Sequence, residues 1–129
     1  LTWALGSDAK PDQLTEVLHA EAAQETQEIH KAIATILARR TDDNKVVTMK
    51  LGPACDLKSG IPVALHNLIG ANDYVDAVRR NIYGCGDSCG RSIVVGSIAG
   101  ALWGNIPDDW IGRLRHDELI SLVDMFVAE

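Results

Sequence analysis

Aromatic residues are scarce in this chain. Three Trp, two Tyr and one Phe make up 5% of its 129 residues. A core so short of rings must be filled by Ala, Leu, Ile and Val, which are plentiful here and favour helix packing. Cysteine is equally sparse: three thiols, an odd number, argue against a disulfide framework and for a reducing compartment, so a cytoplasmic protein is expected. Basic residues are outnumbered, 12 Lys and Arg against 18 Asp and Glu, for a net charge of -6. With the acids clustered in the first third, no nucleic-acid surface is expected. Long apolar runs are missing too. The longest, Ser92 to Trp103, falls short of the ~20 residues that span a bilayer, and no basic stretch followed by an apolar one opens the chain as a signal peptide does. Neither a membrane nor a nucleic acid is therefore expected as a partner. The chain opens on Leu1, inside an apolar LTWAL segment. It reads as a single helical domain over 1–129, the C-terminal fragment of something larger.

Helical periodicity dominates what is present. Asp12 is a candidate N-cap, with Glu16 where the helix dipole favours negative charge. Leu14, Leu18, Ala22, Ile29, Ile33 and Ile36 recur at helical spacing, opposite Glu21, Glu25, Glu28 and Lys31. That predicts one long helix to about Arg40, with a possible break near Glu25. TDDN, 41–44, reads as a loop, and VVTM as either strand or helical turn. A second helix is expected after Ser59, with Pro62 in its first turn, Ile61, Ala64, Leu65 and Leu68 inward, and Gly70 as its stop. Asn72 or Asp73 caps a third, carrying Val75, Val78 and Ile82 and ending at Gly84. Two more begin at Pro107 and at His116–Asp117, the last with a stripe of Leu119, Ile120, Leu122, Val123 and Phe126. The expected fold is an all-α orthogonal bundle.

The most informative stretch is Tyr83 to Leu114, YGCGDSCGRSIVVGSIAGALWGNIPDDWIGRL. It reads as a Gly-rich turn carrying one acid, Asp87, and then a nearly all-apolar helix from Ser88 to Trp103 closed by Gly104. Gly96, Gly100 and Gly104 fall on one face and leave a groove for a neighbouring backbone. Each interior Gly costs about 0.5–1 kcal/mol against Ala, which close packing must offset. With apolar residues all round, this helix is expected at the centre of the fold, Ile93 to Leu102 among its most buried residues. Asp87 at its mouth fits two readings: an acid presented to a metal or phosphate, or the entry turn of a core helix.

GCGDSCG, then SIAGALWG, then IPDDWIGRL resembles the last metal-loop segment of the ADP-ribosylglycohydrolase family. There a glycine pair, an Asp-x-Asp-Thr loop, an AGALAG-type helix and an IP-x-x-W element follow in that order. GPACDLKSGIPVALHNLI, from Gly52 to Ile69, and NDYVDAVRRNIYG after it resemble the subgroup that includes the jellyfish lens J1 crystallins. The resemblance covers Gly52 to Phe126 well and the earlier residues loosely. It implies a hydrolase that cleaves ADP-ribose from modified substrates, using two Mg2+ ions held partly by the two aspartates and the threonine of this loop. Carried onto this chain, the first Asp is Asp87, the second is replaced by Cys89 and the Thr by Gly90, while Gly86 and Ser88 stand as substrate-binding candidates. A thiol is a poor Mg2+ ligand and glycine has no side-chain oxygen. The family's other metal acids lie in its N-terminal half. This chain alone is thus expected to be inactive, and a J1-crystallin-like structural or ligand-binding role is the alternative.

Other constellations are weaker. Cys55, Cys85 and Cys89 lack the fourth ligand and the spacing of a zinc site and read as free thiols. Glu16 and His19 have the Glu-x-x-His spacing of di-iron bundles but no second pair. His30 and His66 read as polar-face or satisfied core histidines, and His116 as lying at a helix start. Asp87 and Arg91 could form an i,i+4 ion pair. Trp103 and Trp110 read as packing residues, and Asp108 and Asp109 as stabilising a helix N-terminus.

Overall fold

A computed structural model of the chain describes residues 10, 13–22, 27–114 and 116–127. The expectations for Asp12 and Glu25, and for the side chains of Glu21, Ala22, Glu28, Ile29, His116, Asp117, Ile120 and Phe126, lie outside the described residues. Among the described residues there are helices and no strands, so the fold is all-α as the periodicity predicts. In order, α1 spans Leu14–Ala22, α2 Gln27–Ala38, α3 Asn44–Leu51, α4 Leu57–Ile69, α5 Tyr74–Tyr83, α6 Ser88–Trp103, α7 Asp108–Ile111 and α8 His116–Val127.

Aspartate caps account for four of these starts, α3 to α6. Asp43 accepts from the amides of Lys45 and Val46, Asp56 from Ser59, Asp73 from Asp76 and Asp87 from Gly90. Each satisfies an amide the helix cannot. The Asp43 cap resolves the ambiguous VVTM segment as helix and draws Asn44 out of the expected loop. Asp56 likewise starts α4 three residues earlier than expected. Pro62 then sits in the second turn rather than the first, where its missing N–H forgoes one helical bond.

α6 packs chiefly against α4 and α5. The central cluster is Leu14, Ala64, Leu68, Ala77, Val95, Ile98, Ala99 and Leu102. Three expected inward residues point outward instead: Ile61 on α4, Ile82 on α5 and Ile93 on α6, the last 74% exposed. On α5 the buried face is Ala77 and Asn81 rather than the Val75–Val78–Ile82 stripe. α6 is therefore not enclosed all round; Ser92, Ile93 and Ser97 form an exposed strip. Its glycine face receives a side chain and not a helix backbone. A Cβ at Gly96 would lie 3.9 Å from the Tyr74 hydroxyl, and one at Gly100 4.0 Å from the Tyr74 ring. These are ordinary contacts, so the groove admits a tyrosine without demanding glycine. Tyr74 also meets Trp110 edge to face at 6.1 Å, giving that Trp the packing role expected of it. Leu119, Leu122 and Val123 of α8 are half exposed.

Candidate functional site

The turn that carries Asp87 is built by two loops clasped together. Residues 84–87 lead into α6, and residues 52–56 lead into α4. The Asp87 amide donates to the Pro53 carbonyl at 3.0 Å. Gly86 has φ +67, and a Cβ there would stand 2.6 Å from the Pro53 carbonyl oxygen and 2.9 Å from its Cα. Both the left-handed backbone and the close approach require glycine. Cys85, beside it, adopts φ 62 with a side chain, a costly conformation for a non-glycine residue.

Asp87 itself is half-buried and folded back over the helix it starts. Its Oδ1 accepts from the Gly90 amide at 3.0 Å. Its Oδ2 occupies the space where a Cβ on residue 90 would project, and that Cβ would also stand 3.1 Å from Cγ. The missing side chain at Gly90 thus makes room for the carboxylate. Cys89 and Cys85 are exposed free thiols, as is Cys55. The Ser88 carbonyl faces inward and is taken by Asn81 Nδ2 at 2.8 Å. Among the described residues, no three His, Cys, Asp or Glu side chains converge as a metal site does.

Arg91 does not pair with Asp87. Its guanidinium turns into the core, where the residue is 3% exposed, donating from Nε to Asn81 Oδ1 at 3.0 Å and from Nη2 to the Cys85 carbonyl. Nη1 is buried with no hydrogen-bond partner among the described residues. Burial pushes the guanidinium below its ordinary pKa, and the nearby Asp87 charge opposes that shift. Asn81, fully buried, is the hub: Oδ1 also receives Asn67 Nδ2 at 3.4 Å, and Nδ2 also donates to Ser92 Oγ at 3.0 Å. Periodicity searches look for apolar residues, so this polar cluster escaped the sequence. The one signal was Asn81 lying four residues from Ala77, on the same face.

A cavity of about 110 Å³ lies between the first turns of α4 and α6, bordered by Cys55, Asp56, Gly60, Asp87, Gly90 and Arg91 among others. Both helix N-termini therefore open on one small space. The Asp56 carboxyl is held below its ordinary pKa by the Ser59 amide and hydroxyl. A larger groove, about 700 Å³, lies elsewhere, against Arg40, Asp42, Asp43, Asn44, Gly70, Arg80 and Tyr83. Its charged groups are largely engaged: Asp42 with Arg39, Asp43 as a cap, Arg80 with Asn44.

The remaining sequence candidates disperse. Glu16 and His19 are exposed. His66 is fully buried, with Nε2 on the Arg39 carbonyl at 2.9 Å, so the core-histidine reading is the one that holds. Asp108 and Asp109 do lie in the first turn of α7, where the helix dipole favours acids, without making a side-chain cap, and Asp109 also reaches Arg113 at 3.4 Å. No described helix is long and apolar enough to cross a membrane.

Crystallin J1A of Tripedalia cystophora is 33% identical over 84 residues, covering 63% of this chain. The chain spans about a quarter of that relative's length, 26%. No solved structure matches. The family model for ADP-ribosylglycohydrolase matches residues 1–129, the whole of the sequence. With its glycine turn, its Asp87-capped helix and a family match from end to end, the chain belongs to the ADP-ribosylglycohydrolase family.

Proposed function

We propose that this chain is the C-terminal, metal-loop part of an ADP-ribosylglycohydrolase-like domain whose loop has lost its two-cation centre. In this reading the Asp87 turn keeps a place in binding an ADP-ribosyl ligand, and the chain by itself does not hydrolyse one. The observation that carries it is the Asp87 carboxylate bonded back to the Gly90 amide. Magnesium requires several hard oxygen donors in near-octahedral array. Of the three loop positions the family resemblance assigns to metal, one is Asp87, engaged as a helix cap. Another is the thiol of Cys89, and the third is Gly90, with no side chain. This donor set does not fit a pair of Mg2+ ions, and no chemical step is routed through them.

Hydrolysis of an ADP-ribosyl bond needs a polarised scissile bond and an activated water, which paired cations supply in metal-assisted sites. A single carboxylate, one oxygen of which already accepts from the Gly90 amide, supplies neither. Incubating the purified chain with an ADP-ribosylated protein and Mg2+ should release no ADP-ribose above the buffer rate; turnover would defeat the proposal. Calorimetry with ADP-ribose then separates the ligand-binding role from the purely structural one that the crystallin likeness also suits. Binding that weakens in Asp87→Ala supports the first, and no binding at all supports the second.

A further inference from the structure

We propose that Asn81 and Arg91 are positioning residues for the Asp87 loop, fixing its shape from the buried side. The proposal rests on the reading that this loop is the functional site. Three polar side chains, Asn67, Asn81 and Arg91, lie at 0%, 0% and 3% exposure directly beneath the turn. Replacing such buried polar groups by well-packed apolar ones is often neutral or stabilising, so stability alone is a poor reason for their presence. What they hold is specific. Arg91 Nη2 takes the Cys85 carbonyl, where the chain is left-handed. Asn81 Nδ2 takes the Ser88 carbonyl, on the far side of Asp87. The two residues are joined through Asn81 Oδ1 and Arg91 Nε at 3.0 Å. The loop is thereby gripped on both sides of Asp87, while Pro53 holds the Asp87 amide from above.

Geometry of this kind is conformational specification: a planar guanidinium and a planar amide, each donating to a chosen carbonyl, admit one arrangement of the turn. The Arg91 stem passes under Gly60, where a Cβ would stand 3.9 Å from Cγ. The same side chain therefore bonds α5 and the α6 entry loop and lies alongside α4. A charge buried here also lies near Asp87 and partly balances it, a balance that an apolar residue at this position could not give.

The test is residue-resolved hydrogen exchange on the chain carrying Asn81→Ala, with Arg91→Met and the milder Arg91→Lys as further variants. The Asp87 and Gly90 amides report the loop; Ala99 and Leu102 report the core. Positioning predicts that loop protection falls by about tenfold more than core protection, the equilibrium equivalent of one buried hydrogen bond. Arg91→Lys, which keeps the charge but not the fork, should fall between the parent and Arg91→Met. Uniform loss at loop and core alike would mean a merely structural role, and unchanged loop protection in a folded variant would overturn the proposal outright. Should Asn81→Ala not fold, Arg91→Lys carries the same comparison. Affinity for ADP-ribose, measured alongside, separates the two readings. If the parent fails to bind, the functional reading of the loop falls while exchange still decides the positioning.

Discussion

Substituting Gly90 by alanine tests the relation between a missing side chain and a captured carboxylate. The added methyl would enter the space held by Asp87 Oδ2 and crowd Cγ at 3.1 Å, so the carboxylate must leave the Gly90 amide it now caps at 3.0 Å. Losing an aspartate cap costs about 1 kcal/mol, within a range of roughly 0.5–2. Alanine within a helix gains about 0.5–1 kcal/mol over glycine, less in the first turn. In the parent these terms nearly cancel, leaving Gly90→Ala neutral to destabilising by about 1 kcal/mol. With Asp87→Ala already present there is no cap to lose, and the same substitution should stabilise by up to about 1 kcal/mol. The double-mutant cycle therefore predicts a coupling near 1 kcal/mol, above the ~0.3–0.5 kcal/mol scatter of independent sites. Urea unfolding of the four proteins, with equal slopes required, measures it. An equal effect of Gly90→Ala in both backgrounds would refute the claim that glycine is what lets Asp87 fold back.

The same logic extends to metal binding. Cys89→Asp with Gly90→Thr should raise Mg2+ affinity by calorimetry, because threonine displaces the carboxylate and aspartate adds a hard oxygen donor; equal binding by parent and variant would mark the loop as an entry turn only. Gly100→Ala should be tolerated or gain about 0.5–1 kcal/mol, since Tyr74 stands at ordinary contact distance, and a clear loss of thermal stability would restore the close-backbone reading. His66 gives a pH dependence. Burial lowers its folded pKa below the ordinary 6.5, so the unfolded chain binds the proton more readily. Its contribution is present in full above that ordinary value and is lost as pH falls through it towards the folded pKa. Urea midpoints at decreasing pH should show this fall, and His66→Gln should flatten it.

How much of this was legible in the residues depends on which signal each element used. Several caps and stops read well: Asp73, Gly70, Gly84 and Gly104 stand where turn and cap chemistry put them. The order of the motifs from Gly52 onward points to the same family that matches the whole sequence. Facing was read less well. Ile61, Ile82 and Ile93 are apolar at helical spacing yet exposed, because a stripe gives a face only when a partner helix lies against it. α5 is the clearest case: its buried residues are small Ala77 and polar Asn81, while the larger β-branched ones are part-buried or exposed. The expected Asp87–Arg91 pair failed for a related reason. Spacing places two residues on one side of a helix, but a buried acceptor drew the guanidinium inward. For the candidate site, the sequence singles out the loop of Asp87, Cys89 and Gly90, while the polar cluster beneath it is tertiary, assembled from side chains on three helices and the carbonyls of Cys85 and Ser88.

The clasp between the two loops treats its two sides unequally. On one side the partner is a main-chain carbonyl, Pro53 O, which any residue at that position would present. On the other it is Gly86, left-handed and pressed against that same residue. Saturation mutagenesis should therefore find position 53 permissive wherever the local backbone is kept and position 86 closed to every side chain. Inheritance of the Asp87 turn then hangs on a residue with no functional group at all, and the side chain at position 53 could change without disturbing it.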